Sequence, residues 1–106
     1  MIDRSRPSIS VLMSAKDSEE TIGTAIESIL IQTFDDIELL IVDDGSNDET
    51  YNRIKKYAKE DSRIKLYKND KNLGLTKSLN KLISLSEAEF LARQDTDDYS
   101  SPDRLE

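Results

Sequence analysis

Glu38-Leu-Leu-Ile-Val-Asp-Asp-Gly-Ser46 is an apolar run that stops abruptly in acidic and turn-forming residues. With Ile37 before it, the run to Val42 is apolar apart from Glu38, the composition of a strand buried on both faces of a sheet. The chemistry then changes within four residues. Asp43 and Asp44 close the run, Gly45 permits a tight turn, and Ser46 with Glu49 makes a capping-box pattern ahead of Tyr51, Ile54, Tyr57 and Ala58 at helical spacing. A strand feeding directly into a helix is predicted, with the helix ending near Lys59.

The same unit recurs on either side. Upstream, Ser8-Ile-Ser-Val-Leu-Met-Ser14 reads as a strand, Asp17 with Glu20 as a second capping box, and Ile22, Ala25, Ile26, Ile29 and Leu30 as the apolar stripe of a helix. Downstream, Ile64 to Tyr67 is a brief strand that Lys65 and Lys68 mark as an edge, and Asn69 to Gly74 is turn chemistry. Leu75, Leu79, Leu82 and Ile83 mark a third helix, and Phe90-Leu-Ala92 a fourth strand running into Gln94-Asp-Thr-Asp-Asp98. The order βαβαβαβ predicts an α/β fold with a mainly parallel, Rossmann-like sheet, right-handed crossovers and helices on both faces. Ser101, Pro102 and Asp103 then read as a fresh helix start that reaches the end at Glu106 within little more than a turn. The chain is therefore expected to be a truncated, N-terminal part of a longer protein.

Composition narrows the function. A length of 106 residues suits one domain, and 36% apolar residues suffice for a modest core. Fifteen Lys and Arg against 22 Asp and Glu give a net charge of −7, which repels phosphate polymers and argues against nucleic acid as partner. With no Cys and no His there is no disulfide, thiol nucleophile, imidazole base or soft-ligand zinc site, so any metal must be held by oxygen. No apolar run approaches a membrane span, and Met1 to Pro7 is too polar for a secretory signal, so the chain is expected to be soluble and cytoplasmic.

In an open parallel sheet ligands bind beyond the carboxyl ends of the strands. Those ends here carry Ser14-Ala-Lys16-Asp17, Asp43-Asp-Gly-Ser46 and Asp95-Thr-Asp-Asp98, which gathers acidic residues on one edge. Clustered carboxylates raise one another's pKa unless a cation or a donor-rich ligand relieves them. Asp95, Asp97 and Asp98 are the candidate ligands of Mg²⁺ or Mn²⁺, which takes one or two carboxylates together with water and substrate phosphates. Asp44 is assigned to a nucleoside, whose ribose hydroxyl or base N–H it can accept. Asp17 and Asp43, taken singly, read as turn formers or helix caps. Lys77 and Asn80 read as solvated helix surface, and Gly74 as a turn glycine rather than a phosphate cradle. A calcium loop over 95–100 fails because Ser100 stands where Gly is needed.

Taken in order, Ser8-Ile-Ser-Val-Leu-Met, Ser28-Ile-Leu-Ile-Gln-Thr-Phe34, Glu38 to Ser46, Asn72-Leu-Gly74, Ala92 to Asp98 and Pro102-Asp-Arg-Leu105 resemble family 2 glycosyltransferases of the GT-A fold over nearly the whole chain. The resemblance implies transfer of a sugar from a nucleotide diphosphate donor, usually a UDP-sugar, to a hydroxyl of a glycan or lipid-linked acceptor, with inversion and in polysaccharide synthesis. It implies that residues 1–106 are the donor-binding part, with Ser14 contacting the nucleoside, Asp44 the base, Asp95 and Asp97 the ribose and metal, and Asp98 a further metal ligand. Lys16 stands where the family commonly has an aromatic residue against the base, so stacking is either replaced by a weaker cation contact or lost. The family's catalytic base belongs to the acceptor part, beyond Glu106, and binding without efficient transfer is expected of this stretch alone. A peripheral membrane association of the whole protein is compatible with that chemistry.

Competing readings make different demands. A nucleotidyltransferase wants a Gly-rich basic loop after strand one, and Ser14-Ala-Lys-Asp17 is not one. A receiver-type signalling domain needs an Asp at the end of strand three, where Lys68 stands. A non-catalytic nucleotide-binding module of the same fold remains an alternative.

Overall fold

A computed structural model describes residues 7–33, 36–97 and 105. Four strands and three helices alternate: β1 (Ile9–Ala15), α1 (Ile22–Leu30), β2 (Ile37–Asp43), α2 (Thr50–Glu60), β3 (Ile64–Lys68), α3 (Leu75–Leu85) and β4 (Phe90–Arg93). All pairings are parallel and the sheet runs β3-β2-β1-β4. The expected α/β architecture is present, and the lysine-flanked third strand lies at an edge.

Every residue of β2 is buried, because it lies between β1 and β3 and under helices on both faces. Alternation along the strands divides the core in two. Val11, Met13, Ala15, Leu39 and Ile41 pack with Ile22, Ile26, Ile29 and Ile54 of α1 and α2. Leu12, Leu40 and Val42 pack on the other face with Leu79 and Leu82 of α3. Helices on both faces are thus a consequence of strands with no polar side.

Neither predicted capping box forms. Thr21 is the N-cap of α1 and Glu49 that of α2, and neither makes a side-chain cap bond. Asp17 and Ser46 instead bond to each other's loop, as described below, while Asp48 accepts the Thr50 amide and hydroxyl at the start of α2. Gln32 is held inside the fold, donating to the Ser28 carbonyl and accepting the Leu105 amide. The predicted helix start at Ser101 to Asp103 lies outside the described residues.

Candidate functional site

The carboxyl end of β2 is the centre of the site. Two residues past Val42, Asp44 continues the alternation toward the α3 face and is only 3% exposed. Its Oδ1 accepts the Asn69 side-chain amide (2.9 Å) and the Leu73 backbone N–H (2.7 Å), and its Oδ2 the Gly74 N–H (2.9 Å). Burial alone would raise the Asp44 pKa, but the bonds from Leu73, Asn69, Gly74 and Ser78 together outweigh it and hold the carboxyl below the usual value of 3.8. Asp44 is therefore a fixed, ionised acceptor at neutral pH. With the Ser78 hydroxyl as the fourth donor, these bonds match the roughly four lone-pair sites of a carboxylate.

Asn69 completes this centre. Besides Asp44, its amide group bonds the Ser78 hydroxyl (3.0 Å), its oxygen accepts the Lys81 ammonium (2.9 Å), and its backbone N–H continues the β2–β3 ladder to the Asp43 carbonyl. In the sequence Asn69 reads only as turn chemistry. The available signal was Ser78, a hydroxyl on the stripe otherwise formed by Leu75, Leu79 and Leu82. Gly74, at φ +90°, is the N-cap of α3, and its N–H is directed to Asp44. Lys77 and Asn80 are exposed.

The loops after β1 and β2 are stitched together. The Lys16 ammonium donates to the Gly45 carbonyl (2.6 Å) and lies 3.7 Å from the Asp17 carboxylate. Asp17, at φ +48°, donates its N–H to the Ser46 hydroxyl and accepts the Asn47 N–H (2.7 Å), while the Ser18 N–H reaches the Thr50 hydroxyl (2.7 Å). Asp17 is accordingly a turn former, as expected. Lys16, assigned to the ligand, also clasps the two loops.

Asp43 departs from expectation. It is fully buried, and among the described residues neither carboxylate oxygen has a hydrogen-bond partner. As the last residue of β2 it points to the α1/α2 side, so it is neither a turn former nor a cap by side chain.

The Gln94 N–H donates to the Leu12 carbonyl, which extends the parallel ladder past β4. Continuing the register Leu12↔Arg93 by two residues sets Asp95 level with Ser14, the half-buried end of β1. Ser14, Asp44 and Asp95 thus close three neighbouring strands on one edge. Two strand spacings, roughly 10 Å, separate the β2 and β4 ends. Asp95 is half exposed and pairs with Arg93 at 3.0 Å, a surface pair that positions more than it stabilises. Asp97 is exposed, and Asp98 lies outside the described residues.

Among the described residues no group of three acidic side chains is placed to hold a metal. Two exposed carboxylates flanking Thr96 on a turn nevertheless fit the sparse protein ligation of Mg²⁺ or Mn²⁺, which leaves coordination positions to phosphate and water. Also among the described residues, no helix is long and apolar enough to cross a membrane.

The profile of glycosyl transferase family 2 matches residues 10–106. The chain belongs to this family. It is 45% identical over 103 residues to the putative glycosyltransferase EpsE of Bacillus subtilis (strain 168), covering 96% of this chain and 37% of EpsE. It is 35% identical over 98 residues to the Escherichia coli UDP-Glc:alpha-D-GlcNAc-diphosphoundecaprenol beta-1,3-glucosyltransferase WfgD, covering 92% of this chain and 38% of that enzyme. The fold superposes with a TM-score of 0.86 and 30% identity on S. aureus TarS 1-349 crystallised with UDP-GlcNAc, over 92% of this chain and 29% of TarS. This family 2 chain has the GT-A sheet, and spans little more than a third of the curated relatives named here.

Proposed function

We propose that residues 1–106 form the donor-binding part of an inverting glycosyltransferase that transfers a sugar from a UDP-sugar to a hydroxyl of a glycan or lipid-linked acceptor. The observation that carries this reading is the shared edge where Ser14, Asp44 and Asp95 close three neighbouring strands, with Asp44 buried and held ionised by its loop. Asp44 faces the base, where a uracil N–H takes the place of one of its loop donors. Ser14 contacts the nucleoside and Asp95 the ribose, while Lys16 lies beside the base and holds Gly45 in place. UDP is favoured as the nucleotide because TarS was crystallised with UDP-GlcNAc, and a lipid-linked acceptor because WfgD is named for one.

Asp97, with Asp95 and Asp98, would hold Mn²⁺ or Mg²⁺. When bound, the cation neutralises the developing charge of the diphosphate leaving group as a Lewis acid. Electrostatics supports the need for it, since a chain of net charge −7 repels a diphosphate. The catalytic base belongs to the acceptor part, so the isolated stretch binds donor without efficient transfer. In the whole protein we assign it to polysaccharide assembly on the cytoplasmic side, with peripheral membrane association where the acceptor is lipid-linked.

Isothermal titration of the chain with UDP, in Mn²⁺ and again in EDTA, tests the reading. Binding in Mn²⁺ that weakens at least tenfold in EDTA and in Asp97→Asn supports it. Equal binding under both conditions favours a non-catalytic nucleotide module, and no binding removes the donor site.

A further inference from the structure

Ser18 lies outside every set of residues assigned above to donor or metal, yet it joins the three loops that carry them. Its N–H donates to Thr50 on the β2 side (2.7 Å), its carbonyl accepts the Thr21 and Ile22 amides that open α1, and its hydroxyl meets the Thr96 hydroxyl at 2.9 Å. Thr96 is the residue between Asp95 and Asp97. Its contact with Ser18 spans 78 residues of sequence and ties the β4 loop to the start of α1.

Proton counting fixes the direction of this contact. The Ser18 hydroxyl has one proton, and it is donated to the Lys16 carbonyl at 3.0 Å. Thr96 must then donate to Ser18. The result is a directional chain, Thr96 hydroxyl to Ser18 hydroxyl to Lys16 carbonyl, whose last member carries the ammonium that clasps Gly45 beside Asp44. Ser18 and Thr96 are both half-buried, so water competes only partly for these hydroxyls.

We propose that Ser18 is a positioning residue: through Thr96 it sets the Asp95-Thr96-Asp97 turn at the height where its carboxylates can share a cation with a diphosphate seated over Ser14 and Asp44. The inference rests on the donor-site reading given above. Ser18 touches neither nucleotide nor metal and acts by limiting how far the turn can swing. A turn free to swing still presents both carboxylates but meets the cation in many geometries, so the loss falls on metal-supported binding alone.

The test is a double-mutant cycle on the chain, with Ser18→Ala, Thr96→Val and both together, read as the UDP dissociation constant in Mn²⁺ and in EDTA. Each single change is expected to weaken binding in Mn²⁺ on the order of fivefold, the worth of one hydrogen bond. The double variant should be no weaker than the worse single, and Thr96→Ser, which keeps the hydroxyl, should bind within about twofold of the parent. Binding in EDTA should not change, and urea unfolding identifies any variant that fails to fold, with Thr96→Ser then carrying the comparison. Additive losses, equal losses in EDTA, or unchanged affinity with a parent that binds in Mn²⁺ would overturn the role of Ser18 alone. A parent without Mn²⁺-dependent binding would overturn this inference together with the donor-site reading.

Discussion

Replacing Asp44 by Asn keeps the shape of the side chain and changes its hydrogen-bonding logic. One oxygen can still serve Asn69 and Leu73, but the new NH₂ faces the Gly74 N–H, donor against donor. The lost bond was to a charged acceptor, worth about 1.5–3 kcal/mol, and the surviving two become neutral bonds of roughly half their former strength. A total loss of about 3–6 kcal/mol is expected, a large fraction of the ~5–15 kcal/mol typical of a domain. Urea unfolding followed by circular dichroism measures it. The pH dependence supplies a second check. Because the native Asp44 pKa lies below 3.8, its contribution is fully present above the unfolded value and is lost as pH falls through the native one. The stability gap between parent and variant should therefore be constant near neutrality and narrow below about pH 4. A variant as stable as the parent at pH 7 would refute the view that Asp44 holds the 69–74 loop as a carboxylate.

Two glycines should separate by their surroundings. A Cβ at Gly45 would meet the Asn72 backbone nitrogen at 3.0 Å and the Lys71 carbonyl carbon at 3.2 Å, whereas one at Gly74 meets nothing within 4 Å. Both have positive φ, so Gly74→Ala should lose about 1–3 kcal/mol from strain alone and Gly45→Ala measurably more; equal thermal shifts would contradict this. At the α1–α2 contact, the Tyr57 hydroxyl donates to Glu27 at 2.6 Å, and that bond, with burial and the charges of Glu27 and Glu60, pushes the phenol up to about 12. Spectroscopic titration should show one tyrosine moving down toward 10 in Glu27→Gln. The native phenol is favoured neutral, so its stabilising contribution is present below pH 10 and disappears as pH rises through about 12.

How legible a feature was depended on how locally it is determined. The strand β2 has no other reading, since a run with no polar face must be covered on both sides, and the helices on each face follow from it. Helix starts were illegible because Asp17, Ser46 and Asp48 have more than one possible partner. The bonds from the Asn47 N–H to the Asp17 carboxylate and from the Asp17 N–H to the Ser46 hydroxyl cross about thirty residues of sequence, and depend on β1 and β2 being neighbours. The strand-end rule pointed to Asp44, but its hold on Leu73 and Gly74 needs β3 beside β2. Asp43 shows the opposite limit: its residue type suggests a turn, while alternation carries it into the core with no partner among the described residues.

Amide chemical shifts of the isotopically labelled chain, recorded while UDP is added in Mg²⁺, locate the nucleotide on the fold. Perturbations are expected to concentrate at residues 14–18, 44–46, 69–74 and 95–97, with Asp97→Asn erasing those at 95–97 first. Shifts confined to the α1–α2 surface around Tyr57, or no shifts at millimolar UDP, would contradict a donor site at the carboxyl edge of the sheet.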